Sequence, residues 1–192
     1  MKTTSIMIVG VGGQGTLLAS KLLGNVLIGQ GYDVKLSEVH GMSQRGGSVV
    51  TYVRYGDAVY SPIVDEGEAD YILSFELLES ARWISYLKEG GVLLTNTQKT
   101  WPMPVITGAA AYPEDIVEKL SAMADVRAVD ALSLAEQAGS PKAVNVVLIG
   151  VLSRLMKDIP EEAWTRAIEE TVPAKFLELN RKAFALGREG KQ

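Results

Sequence analysis

The chain has 192 residues, 47% hydrophobic and 22% charged, with 19 lysines and arginines against 23 acids for a formal charge of −4. That length suits a single domain over 1–192. The apolar share argues against a disordered chain, and the acid excess argues against a general nucleic-acid binder. Cysteine is absent and histidine occurs once, at His40. A thiolate-held iron–sulfur cluster, a disulfide, a cysteine nucleophile and a multi-histidine metal site are therefore excluded, and no metal is expected.

Only residues 6–9 form an apolar run ahead of the first glycines. A secretory core needs ~7–15 such residues and a membrane span ~18. The expectation is a cytoplasmic protein without a membrane partner.

Ile6-Met7-Ile8-Val9 is continuously apolar rather than alternating, the pattern of a strand buried on both faces of a parallel sheet. Gly10-Val11-Gly12-Gly13-Gln14-Gly15 follows. Leu17, Leu18, Leu22, Val26 and Leu27 then mark a helical face, which stops at Gly29-Gln30-Gly31 before a second strand over 32–36. Residues 38–48 are polar and glycine-rich. Residues 49–55 are β-branched and aromatic, and a turn at 56–58 predicts a hairpin return over 59–63, with Pro62 at an edge.

A buried strand is predicted over 71–74. A helix through Leu77, Leu78, Ala81, Ile84 and Leu87 follows, closed by Gly90-Gly91, and then a strand over 92–95. The connection beyond it carries Pro102, Pro104 and Pro113 and is given a short strand over 105–107. A short helix ending at Met123, a strand over 126–129 and a helix over 131–138 complete this part.

Ser140-Pro141 has the form of a helix N-cap and first turn. The helix it opens carries Val144, Val147, Leu148, Val151, Leu152 and Leu155, and is apolar nearly all round, so it is expected at the centre of the fold. Pro160-Glu161-Glu162 opens another, its acids favoured by the helix dipole. Pro173 breaks that helix. A last helix sets Phe176, Leu179, Ala183 and Leu186 on one face and stops near Gly187. The fold class is α/β and Rossmann-like. It has a mostly parallel sheet with helices on both faces, a β-hairpin inserted after the second strand, and a helical C-terminal segment.

Two loops carry the chemistry. Gly10, Gly12 and Gly15 form G-x-G-x-x-G between a buried strand and a helix, where glycines allow a tight turn and the helix N-terminus offers free amides to an anion. Glu38 follows Gly15 by 23 residues, near the ~20-residue offset of a ribose-binding acid. These four residues support a reading as an independent NAD(P)-binding oxidoreductase. Gln14 and the predicted hairpin weaken it, because a polar side chain intrudes and a helix is missing. The second loop is Glu38-Val39-His40-Gly41-Met42-Ser43-Gln44-Arg45-Gly46-Gly47-Ser48. Arg45 offers a planar fork for a carboxylate or phosphate, and Gly46-Gly47 can turn the chain back and expose amides.

Together, Gly10-Val11-Gly12-Gly13-Gln14-Gly15 and His40-Gly41-Met42-Ser43-Gln44-Arg45-Gly46-Gly47-Ser48 resemble the gamma-type subunits of 2-oxoacid:ferredoxin oxidoreductases. Pyruvate-type members carry Tyr-Gly-Pro-Glu-x-Arg-Gly-Gly as the second motif. The His-Gly-Met-x-Gln-Arg-Gly-Gly form here is more like the beta subunit of the indolepyruvate branch. The stretch from Asn145 to Gly150 and the tail from Ile159 through Asn180 to Gly187 are also similar to family features. The resemblance implies an enzyme subunit without a certain catalytic residue or cofactor of its own. Thiamine diphosphate, iron–sulfur clusters and coenzyme A would lie on or with a larger partner subunit. Indolepyruvate or a related arylpyruvate would be the 2-oxoacid substrate, and ferredoxin the electron acceptor. A homodimer stays open, as does a scaffold role in which both loops touch only protein.

Overall fold

The computed structural model describes residues 3–38 and 46–190. Six strands form one sheet in the order β2-β3-β1-β4-β5-β6. They are β1 (Thr4–Val11), β2 (Asp33–Glu38), β3 (Ser48–Gly56), β4 (Ala69–Ser74), β5 (Leu87–Asn96) and β6 (Asp125–Val129). β1, β4, β5 and β6 are parallel neighbours, while β3 runs antiparallel to both β1 and β2. β2 therefore points the same way as β1, and five strands end at one rim.

β1 is apolar without a break from Ile6 to Val9 because the sheet is covered twice. Ile6 and Ile8 face a core built with α1 (Thr16–Gly29), α5 (Ala131–Ala138), α6 (Val144–Leu155), α7 (Glu161–Thr171) and α8 (Leu177–Glu189). Met7 and Val9 face a smaller core under α2 (Leu77–Trp83) and α4 (Ile116–Ser121). α6 lies at the centre, with Val144 through Ser153 all buried. Ser140 caps the 3₁₀ turn Pro141–Ala143 that leads into it.

Several local expectations are corrected. Residues 59–63 form no strand: β3 has two edges, and β1 and β2 occupy both. The hairpin is β2–β3 instead. The 59–63 segment is an irregular strap, held where Val59 N–H donates to Asp33 Oδ2 at 2.8 Å and Arg54 Nη1 donates to the Ile63 carbonyl at 2.7 Å. The helix expected to reach Leu87 ends at Trp83 and passes through the 3₁₀ turn Ile84–Tyr86, because Leu87 already pairs with Ala69 in the sheet. Residues 105–107 extend no strand; α3 (Met103–Ile106) forms there. The Pro102 carbonyl accepts from Val105 and Ile106, and Pro104 sits in the first turn, where no donor is required.

Leu17 is exposed on α1 rather than buried. On α8 Ala183 is buried as expected and Leu179 and Leu186 pack half-buried against the larger core, but Asn180, Phe184 and Gly187 are buried beside them and Phe176 is exposed. Gly187 does not stop that helix. It lies inside it, against Val147 of α6.

Candidate functional site

The chain must turn sharply as it leaves β1, and the turn is held by one of its own side chains. Val11 N–H donates to Gln14 Oε1 at 2.8 Å, and Gln14 N–H donates to the Val11 carbonyl at 3.2 Å. Gln14 Nε2 reaches the Phe75 carbonyl at 3.5 Å, a long bond to the neighbouring strand end. Gly10 leaves the room this needs: a Cβ there would stand 2.8 Å from Gln14 Oε1 and 2.9 Å from Phe75 Cβ. Gly15 opens α1 at φ +86°, a left-handed conformation that favours glycine. Its carbonyl accepts from Asn145 Nδ2 of α6 at 3.3 Å. Gln14→Ala removes the acceptor of a main-chain donor, a loss of about 1–2 kcal/mol. The Val11 amide should then exchange faster with solvent while amides of the central strands do not. Unchanged exchange at Val11 would show that the turn holds itself.

Both flanks of the polar second loop arrive at this same rim. Glu38, at the end of β2, accepts from Ser20 Oγ of α1 at 2.7 Å. The Gly47 carbonyl accepts from Gly12 N–H at 2.8 Å, joining the two glycine segments directly. Ser48 Oγ donates to Glu79 Oε2 on α2. Gly46 turns at φ +97°. The two loops are thus neighbours, as far as their described residues show. His40, Gly41, Met42, Ser43, Gln44 and Arg45 lie outside the described residues.

Glu38 does not sit where a dinucleotide site needs it. In that arrangement the acid ends the strand adjacent to β1. Here β3 is inserted between them, so β2 is two strand spacings away, roughly 10 Å. Its carboxylate is bonded to Ser20 on the next helix.

What the rim does offer is a set of donors. No side chain caps α1 and no acid stands in its first turn, so its leading amides are open to an anion. A cleft of about 290 Å³ lies on one side of the glycine turn, between Gly12, Gly13, Thr16 and Val49 to Thr51. A second, of about 500 Å³, lies on the other side, between Gly13 to Gly15, Gln98, Pro141, Lys142 and Val144. The turn is a ridge between the two, and Lys142 lines the larger. Among the described residues, no group of three or more histidines and acids is placed to hold a metal ion.

Sequence reasoning missed four contributors. Asn96 ties the rim together: its Nδ2 donates to the Phe75 carbonyl at 3.1 Å and its Oδ1 accepts from Ala131 N–H at 3.2 Å. Glu76, buried, caps α2 and holds the 97–112 connection, as its bonds to Thr100 N–H and Tyr112 Oη show. Burial, then the adjacent Glu76 charge, pushes the Tyr112 hydroxyl far above its usual range, so it stays a donor. Gln98 has no signal in the sequence. Lys142 has one: a cation at a helix start opposes the dipole, which marks a position chosen for something other than helix stability.

A family model described as pyruvate ferredoxin/flavodoxin oxidoreductase matches residues 5–190. The chain is 47% identical over 193 residues to indolepyruvate oxidoreductase subunit IorB of Thermococcus kodakarensis, covering 97% of this chain and 95% of that one. It is 27% identical over 180 residues to the pyruvate/ketoisovalerate oxidoreductases common subunit gamma of Thermococcus litoralis, covering 91% and 89%. The crystal structure of the gamma subunit of keto/oxoacid ferredoxin oxidoreductase from Geobacter sulfurreducens superposes with a TM-score of 0.72 at 27% identity, over 97% of this chain and 96% of that one. Both the glycine turn and the helices that brace it fall within the matched span, and the chain belongs to the pyruvate ferredoxin/flavodoxin oxidoreductase family.

Proposed function

We propose that this chain is the cofactor-free subunit of an indolepyruvate:ferredoxin oxidoreductase complex, working in the cytoplasm beside a larger subunit. The observation that carries the reading is the shared rim. There the glycine turn, the stems of the polar loop and the start of α6 offer amides and Lys142 to an anion, on a chain with no cysteine to ligate a cluster. The identity to relatives named as indolepyruvate oxidoreductase subunits supports the choice of substrate.

In the overall reaction the 2-oxoacid loses carbon dioxide. Its acyl carbon gives up two electrons, which pass to ferredoxin, and the acyl group bonds to the coenzyme A sulfur as the thiol proton leaves. Thiamine diphosphate on the partner supplies the carbanion chemistry of that sequence. This chain's part is to bind and orient. The open amides at the head of α1, Lys142 and the Arg45 guanidinium would hold an anionic end, either a carboxylate or a coenzyme A phosphate.

The test is anaerobic purification of the tagged chain from its host, with assays for thiamine diphosphate, iron, acid-labile sulfide and indolepyruvate-dependent viologen reduction. A larger partner bringing all of these supports the reading. A chain that comes alone and inactive overturns it. In the assembled complex, Arg45→Ala should lower kcat/KM by about 10–150-fold, the worth of a hydrogen bond to a charged group, with an unchanged melting temperature. Wild-type turnover and wild-type yield of complex would remove Arg45 from the site.

A further inference from the structure

The connection that leaves β5 carries no charged residue from Thr100 to Pro113, in a chain that is 22% charged. A stretch of that length on a protein surface would ordinarily hold several. Its apolar side chains nevertheless face outward: Trp101 is 60% exposed, Met103 66% and Ile106 60%. The segment is an arm with a closed neck. Both of its ends meet on one buried carboxylate, where Glu76 Oε1 accepts from Thr100 N–H at 2.8 Å and from Tyr112 Oη at 3.0 Å. Between them α3, and the bond from Ala110 N–H to the Pro104 carbonyl at 3.0 Å, fold the arm on itself. Compact surface loops of this kind are frequently functional. An aromatic ring and a methionine held out in an ordered shape are suited to bind, because little freedom is left to lose when a partner covers them.

Area and charge select the occupant. At these exposures the three side chains leave on the order of 400 Å² of apolar surface open. Each side of a stable interface buries about 800 Å². Two copies of this chain docked arm to arm would fall short of that. A two-fold contact also brings each patch against its own copy, and here that gathers like charges. Glu114, Asp115 and Glu118 border the return of the arm, all exposed and without an ion pair among the described residues. The nearby cations are directed elsewhere: Lys119 Nζ donates to the Glu114 carbonyl at 2.7 Å, and Lys99 lies over the Tyr112 ring. The remaining area is on the rim. Gln98, which leads into the arm, also lines the larger cleft, so a body seated over that cleft continues onto the arm.

We propose that the Thr100–Tyr112 arm is a docking element for the larger, cofactor-bearing subunit. Trp101, Met103 and Ile106 enter an uncharged groove of that subunit, and Glu114, Asp115 and Glu118 meet lysines or arginines at the groove's edge. The proposal rests on the reading above for the existence of that subunit, and adds which surface of this chain it grips.

The test uses the full-length chain co-expressed with the larger subunit, which is recognised by its thiamine diphosphate and iron. Hydrogen–deuterium exchange of the free chain and of the complex should show residues 101–111 protected on assembly. Trp101→Ala should weaken assembly about 30-fold or more, as for a central aromatic anchor, with the melting temperature of the free chain unchanged. Met103→Ser combined with Ile106→Ser should weaken it too. Met123→Ser alters a side chain that is 72% exposed but outside the arm, and should assemble as wild type. Replacing Glu114, Asp115 and Glu118 together by lysine should weaken assembly at low salt, and the loss should narrow as salt is raised.

Wild-type assembly by Trp101→Ala, or no protection of residues 101–111, overturns the proposal. So does a homodimer of the free chain that Trp101→Ala dissolves, or binding to phosphatidylserine vesicles that Trp101→Ala abolishes, because the arm then has another occupant. A larger subunit held equally well by the arm variants removes only this proposal and leaves the subunit assignment standing. A chain that takes up no larger subunit overturns both.

Discussion

Gly187→Ala is expected to lower the melting temperature by about 6–12 °C. α6 and α8 touch backbone to backbone. A Cβ on Gly187 would stand 2.1 Å from the Val147 carbonyl oxygen and 2.9 Å from its carbon. Nothing flexible lies in the way that could move aside, so the helices must separate. α6 is buried along almost its whole length, and its displacement would disturb the larger core. Overpacking of this kind costs about 3 kcal/mol or more, and a chain of this size loses ~2–4 °C for each. Gly150→Ala should behave similarly, since its Cβ would lie 2.3 Å from the Phe184 carbonyl oxygen. The double variant should lose less than the sum, because both methyls open the same contact. Thermal melts of the three variants decide this. A shift below about 2 °C for Gly187→Ala would mean that the helices slide apart at little cost.

Glu76→Ala should cost about 3–4 kcal/mol, the sum of several bonds to one buried carboxylate. Glu76 is 1% exposed. Its Oε2 accepts from Glu79 N–H at 2.9 Å, which caps α2. Its Oε1 accepts from Thr100 N–H at 2.8 Å and Tyr112 Oη at 3.0 Å. Truncation leaves three donors without an acceptor, two of them on the connection that follows β5. Glu76→Gln should cost less, about 1–2 kcal/mol. The amide oxygen can serve Thr100 and Tyr112, but its NH₂ cannot accept from Glu79. Chemical denaturation of both variants gives the ranking. Equal losses would show that charge, rather than acceptor count, sets the value of Glu76, and no loss in either would remove it from the architecture of the rim.

Much of the fold was legible in the sequence because its signals are local. A strand buried on both faces reads as an unbroken apolar run, and Ile6 to Val9 meets a core on each side. A helix buried all round reads as apolar at every turn, and α6 does. Ser140-Pro141 and Pro160 mark helix starts through their own backbone chemistry. Errors arose where one local signal had two tertiary meanings. Gly187 resembles a helix stop, but close approach between helices needs a glycine as much as a C-cap does. Residues 59–63 resemble a hairpin return, but a strand has only two edges and β3 had spent both. Val105 to Thr107 has strand-forming composition, but two prolines upstream set the first turn of a helix.

The site divides along the same line. The glycine spacing, the polar loop with Arg45 and the absence of cysteine were determined by the sequence alone, and they delimited the chemistry before any fold was known. Tertiary structure alone decided which groups meet. Asn145 braces Gly15 from 130 positions away, Gly12 bonds Gly47, and Glu76 joins Thr100 to Tyr112. Insertion of β3 between β1 and β2 moved Glu38 out of a nucleotide-binding position, although its spacing in the sequence was right. The reason is physical. Patterning and capping act over a turn or two of chain, whereas strand order, helix contact and cavity walls are settled by competition among distant segments for the same edges and faces.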